Sequence, residues 1–119
     1  MKWQKPSSQL LETFDRILPK DSGIEKRKMF GYPTGHVNGN WFIGCYGEND
    51  IVLRLSDADR STFLALEGAR QFEPMPGRPM REFVMIPSWL LDDPEQLQSW
   101  IRKSLEYSSN LPLQKKKKR

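Results

Sequence analysis

The pair Asn38-Gly39 constrains this chain more than any other feature. A short link that tolerates positive φ between two apolar arms turns the backbone directly back on itself as an antiparallel hairpin. Val37 and Trp41 flank Asn38-Gly39-Asn40. The stretch from Lys26 to Tyr46 therefore reads as the start of an antiparallel sheet, and the rest of the chain as what covers it. The same stretch holds the single histidine, His36, the single cysteine, Cys45, and the basic run Lys26-Arg27-Lys28 beside aromatic residues.

Ahead of the hairpin, Leu10, Leu11, Phe14, Ile17 and Leu18 recur at helical spacing behind Ser8, a residue type whose hydroxyl caps a helix start. Pro19 and Asp21-Ser22-Gly23 end that helix. Ile24 to Phe30 reads as a strand whose charges suit an edge or a solvated face, and Gly31, Pro33 and Gly35 turn the chain into the hairpin. Behind it, Ile51 to Leu55 alternates, with Ile51, Leu53 and Leu55 on one face and Val52 and Arg54 on the other. Ser56-x-x-Asp59 starts a short helix running through Glu67 and stopping at Gly68.

From Phe72 to Met80 three prolines and a glycine make a shaped loop. A short extra strand is expected at Gln71 to Glu73. Arg81 to Ile86 alternates again and reads as a strand with both faces largely buried, ended by Pro87. Met75, Met80, Trp89, Leu90 and Leu91 read as apolar residues on loops, surfaces that dock another chain or a second copy. Asp93-Pro94-Glu95-Gln96 combines an N-cap, a proline at the first helical position and a glutamine three residues on, so a last helix starts there with Leu97, Trp100, Ile101 and Leu105 inward. The pattern predicts an α+β fold, α-β(4)-α-β(1-2)-α, with an antiparallel sheet and its helices gathered on one side.

Residues 1–112 are expected to be one domain and residues 113–119 a disordered basic tail. The net charge of +4 belongs to that tail: Lys115 to Arg119 supply five of the 19 basic residues, leaving 14 against 15 acidic ones, a body of −1. No apolar run approaches the roughly 18 residues that span a bilayer, the first residues do not read as a secretory signal, and one cysteine forms no intramolecular disulfide. The expectation is a cytoplasmic protein that does not engage a membrane.

His36 and Cys45 are the residues that invite catalysis. In the hairpin His36 pairs near Trp41 while Cys45 lies further along its strand, so no thiol–imidazole pair is expected, and the second histidine or cysteine a metal site needs is missing. Neither a catalytic set, a metal nor a cofactor is expected. Nucleic acid is the other candidate: Arg27, Lys28, Arg54, Arg78 and Arg81 meet if their strands and the proline loop share a face, with Tyr32 and Trp41 available to stack on bases.

Arg27-Lys28-Met29-Phe30-Gly31, Asn38-Gly39 before Trp41-Phe42, Leu53-Arg54-Leu55, the run Phe72 to Met80, Pro87 and Leu97 to Leu105 before Leu111-Pro112 follow one another in an order that resembles the N-terminal domain of the TfoX/Sxy family of bacterial competence regulators. The resemblance implies an α+β fold similar to that of secretion chaperones and a link to transcriptional control, in which full-length members assist a cyclic-AMP receptor protein. It implies no catalytic residue. By that resemblance the short basic tail is expected in the place where full-length regulators carry a second domain. The expectation is a non-enzymatic regulatory or protein-interaction module, binding another protein or a second copy of itself, with direct nucleic-acid binding as the alternative. The candidate binding residues are Arg27, Lys28, Trp41, Arg54, Arg78 and Arg81.

Overall fold

A computed structural model describes residues 4–112, so the expected disorder of 113–119 lies outside the described residues. Helix α1 (Ser8–Ile17) leads into four consecutive strands: β1 (Ile24–Met29), β2 (Tyr32–Val37), β3 (Asn40–Tyr46) and β4 (Asp50–Arg54). Helix α2 (Asp57–Leu64), strands β5 (Arg70–Gln71) and β6 (Phe83–Met85), and helices α3 (Ser88–Leu91) and α4 (Pro94–Ser109) complete the described chain. The strands form one antiparallel sheet in the order β1-β2-β3-β4-β6-β5. The α+β class and the grouping of helices on one side are as expected: Leu10 and Phe14 of α1, Phe63 of α2, Leu90 of α3 and Leu97 and Ile101 of α4 share one core with Phe42, Ile43, Ile51 and Leu53. Phe14 and Phe42 are fully buried there, and truncating either to alanine costs about 3–5 kcal/mol.

The central hairpin closes as a two-residue turn. Val37 pairs with Asn40, and Asn38 and Gly39 both take positive φ, 52° and 74°. The preceding turn differs from the expectation. Phe30 and Gly31, with φ of 54° and 84°, form it alone, while Pro33 and Gly35 lie inside β2. Gly35 is needed there because a Cβ would stand 2.7 Å from Leu18 Cδ1 and 2.9 Å from Ile43 Cγ2; the helix layer packs directly on the strand backbone. The register shifts by one between Gly35 and His36, so that β3 carries an extra residue and Phe42 and Ile43 both enter the helix-side core.

Other corrections are local. Ser7, not Ser8, caps α1, accepting from Leu10 N at 3.0 Å. Ser56 caps α2 as expected, but the helix stops at Leu64 instead of Glu67. The short extra strand is Arg70–Gln71, not Gln71 to Glu73. Trp89, Leu90 and Leu91 are not on a loop: they belong to α3, and Leu90 is fully buried against the sheet-side core. Asp93 caps α4, accepting from both the backbone and the side chain of Gln96. The end of α4 is fastened to the central hairpin, where buried Asn40 Nδ2 donates to Ser108 O and Pro112 O and Asn38 Nδ2 donates to Ser109 O.

Candidate functional site

Alternation along the strands gives the sheet a second face, opposite the helices. It carries Met29, Tyr32, Thr34, His36, Trp41, Tyr46, Val52, Arg54, Phe83 and Met85, and its middle is a smaller apolar cluster of Val52, Phe72, Phe83 and Met85. Trp41 stacks on Phe83 with ring centroids 4.2 Å apart, and Tyr46 meets Phe72 edge-on at 4.9 Å. Part of this face is covered by the proline loop. Gln71 pins that loop: its Nε2 donates to Met80 O and Phe83 O, while Met80 N donates to Phe72 O and Arg78 N to Met75 O. The loop is thus a fixed wall, as its prolines require.

Between that wall and the β1–β2 hairpin lies an apolar cavity of about 320 Å³, lined by Met29, Phe30 and Tyr32 on one bank, Pro74 and Met80 on the other, and Thr34, Trp41, Cys45, Tyr46 and Phe72 beneath. Every side-chain nitrogen and oxygen on the lining is engaged by the protein. Tyr32 OH donates to Gln4 O, Tyr46 OH to Pro74 O, and Trp41 Nε1 to Ile43 O, and Thr34 Oγ1 meets His36 Nε2 at 2.9 Å. What remains for a visitor is carbon and sulfur. Phe30 is 83% exposed on one rim and Met75 58% exposed on the loop opposite, so the apolar surface continues beyond the cavity.

The helix side of the same hairpin, next to α1, carries a different surface. Lys5, Pro6, Leu11, Lys26, Arg27, Lys28, Gly31 and Pro33 line an open groove of about 630 Å³. Lys26 is paired with Asp15 and Arg27 with Glu25, while Lys5 and Lys28 form no ion pair among the described residues.

The structure therefore divides the candidate binding residues. Arg27 and Lys28 meet at the basic groove on edge strand β1, together with Lys5 and Lys26, which the sequence reading left out of the candidate set. Arg54 is three strands away on β4 and is committed to the fold: Nε donates to Glu82 Oε1 at 2.7 Å, one terminal nitrogen donates to Trp41 O at 3.1 Å, and the guanidinium lies 5.6 Å from the Phe83 ring. Tyr107 OH of α4 donates to the other Glu82 oxygen at 3.0 Å; burial, reinforced by that carboxylate, raises its pKa. Arg78 and Arg81 sit exposed on the proline loop, on the far bank from β1. Trp41 is in the floor of the apolar cavity, not on an open stacking surface. Of the cavity residues, Tyr32 was expected to stack on bases and Met80 to present a docking surface on its loop; Met29, Tyr46 and Phe72 were not singled out, and the only signal for them was the second apolar face of the strands.

His36 and Cys45 stand apart. His36 lies beside Thr34 on the helix-free face, while Cys45, at the edge of the cavity floor, follows Gly44 in β3 and shares the alternate face with Ile51. Burial pushes the Cys45 thiol up to about 12, so it stays protonated at neutral pH. Burial, with Arg27 nearby, lowers the His36 pKa, favouring the neutral ring. No group of three or more histidine, cysteine, aspartate or glutamate side chains among the described residues is arranged to hold a metal, and no helix among them is long and apolar enough to cross a membrane.

A family model, the TfoX N-terminal domain, matches residues 16–108. No curated protein and no solved structure matches the chain significantly.

Proposed function

The chain belongs to the TfoX N-terminal domain family, and we propose from that premise that it is a non-enzymatic regulatory module, tied to transcriptional control, that docks another protein on the helix-free face of its sheet. The observation that carries this reading is the apolar cavity with its polar atoms already satisfied and two exposed apolar residues, Phe30 and Met75, on its rims. Such a surface gains by excluding water and offers no group that would activate a substrate. The separation of His36 from Cys45 supports the non-enzymatic part.

Site-specific photocrosslinking in the source cell tests it. A benzophenone side chain at position 30 and another at position 75 are expected to capture the same protein, and one at Lys103, on the outer surface of α4, is not. Adducts no different from those at position 103 would sink the proposal.

One observation favours a second reading, direct binding of nucleic acid: the groove lined by Lys5, Lys26, Arg27 and Lys28. A phosphate backbone lying there makes affinity fall steeply with salt, and losing one phosphate contact lowers the log–log salt slope by about 0.9 for duplex DNA. A full-length Lys28→Glu chain whose salt slope equals that of the unaltered chain would leave the basic tail as the source of any DNA contact.

A further inference from the structure

We propose that the chain docked on this face is an acidic segment carrying an aromatic side chain, its ring in the apolar cavity and its carboxylates reaching over the β1–β2 hairpin to the basic groove on the α1 side. The inference rests on the docking reading above and names the partner's chemistry.

The β1–β2 hairpin is the common wall of the two surfaces: its pairing puts Arg27 and Met29 with Tyr32 and Thr34 on the cavity's face, and Lys26 and Lys28 with Pro33 on the α1 side. Met29, Phe30, Tyr32 and Thr34 line the apolar cavity; Arg27, Lys28, Gly31 and Pro33 line the basic groove. Only the thickness of one strand pair, with the Phe30-Gly31 turn at its tip, separates a place for a ring from a place for negative charge. A cavity of about 150 Å³ takes a benzene ring, so about 320 Å³ admits a two-ring side chain such as an indole.

A polar ligand is disfavoured because the lining offers it no unengaged donor or acceptor, and burying an unpaired polar group is costly. A basic segment is disfavoured by Lys5 and Lys28, which no carboxylate among the described residues neutralises. The body as a whole is slightly acidic, which makes this local excess of positive charge a distinguishing feature of the hairpin.

The test uses the full chain, ¹⁵N-labelled, and a short peptide with a central tryptophan flanked by glutamates. Saturable shifts of the Trp41 indole N–H and the Gly44 amide are expected, because Trp41 lies at the cavity floor and its indole lies across Gly44. Replacing the peptide's tryptophan by alanine is expected to abolish those shifts, and replacing its glutamates by lysines to do the same. Lys5→Glu with Lys28→Glu, both on exposed residues, should weaken the acidic peptide about tenfold at low salt and less at high salt. Met80→Trp, which fills the cavity, should weaken it by about tenfold or more.

Shifts confined to residues beyond Gln114, equal shifts at Gly44 from the lysine peptide, or affinity unchanged by the charge reversal would each overturn the inference. If position-30 crosslinks persist while the acidic peptide fails, the docking face stands and the partner's chemistry is refuted.

Discussion

The indole of Trp41 lies across Gly44: Trp41 Nε1 donates to Ile43 O at 2.9 Å, and a Cβ on residue 44 would stand 2.8 Å from that nitrogen and 3.0 Å from Thr34 Cγ2. The floor of the apolar cavity therefore depends on a missing side chain. Gly44→Ala is expected to displace the indole and cost about 1–3 kcal/mol, as small-to-large changes in packed sites do. Urea denaturation would measure it. A change within error would mean that Trp41 has somewhere else to go.

Arg54 is expected to behave as a structural residue. Arg54→Lys keeps the charge but loses the forked geometry that joins Glu82 to Trp41 O. The expected result is a loss of about 1–2 kcal/mol in stability, with any DNA affinity of the full chain unchanged. An unchanged melting curve alongside weaker DNA binding would return Arg54 to the list of phosphate contacts.

Phe30 holds positive φ while its side chain is largely exposed. The left-handed conformation costs a non-glycine residue roughly 1–2 kcal/mol, and glycine's extra freedom in the unfolded chain costs about 0.4–1 kcal/mol. Phe30→Gly is therefore expected to be no less stable than the unaltered chain, measured by thermal melting, while losing the partner captured from position 75. Destabilisation by more than about 1 kcal/mol would mean that the ring supports the hairpin itself.

Acid should act through His36 before it acts through the carboxylates. The His36 pKa is lowered from its ordinary 6.5, first by burial and then by Arg27, so the unfolded chain binds this proton more readily. Its contribution to stability is complete above the ordinary histidine value and is lost as pH falls below it toward the folded value. Asp15 and Asp21, whose carboxyls are lowered chiefly by hydrogen bonds from Lys26 and Arg102, act only at lower pH, below about 4. Denaturation midpoints of the unaltered chain should therefore begin to decline near pH 6, and His36→Gln should remove that early phase. An identical decline in the variant would assign it to another group.

Features that depend on a residue and its near neighbours were legible in the chain. Asn38-Gly39 closes a hairpin because its backbone tolerates positive φ, Asp93-Pro94 opens a helix because a carboxylate meets free N–H groups there, and the alternation in Ile51 to Leu55 divides two faces. Local rules were less exact where neighbouring candidates compete, as at Ser7 against Ser8 and Phe30-Gly31 against Gly31, Pro33 and Gly35.

Tertiary structure alone decided which side chains are available. Arg54 is held by Glu82, 28 residues away, and Asn40 fastens Ser108, 68 residues away. The apolar cavity exists because the proline loop, far along the chain from β1, β2 and β3, folds back over their helix-free face, and whether a charge is engaged or a ring is roofed depends on such distant contacts. Periodicity assigns a residue to a face; it carries no information about what the rest of the chain lays on that face.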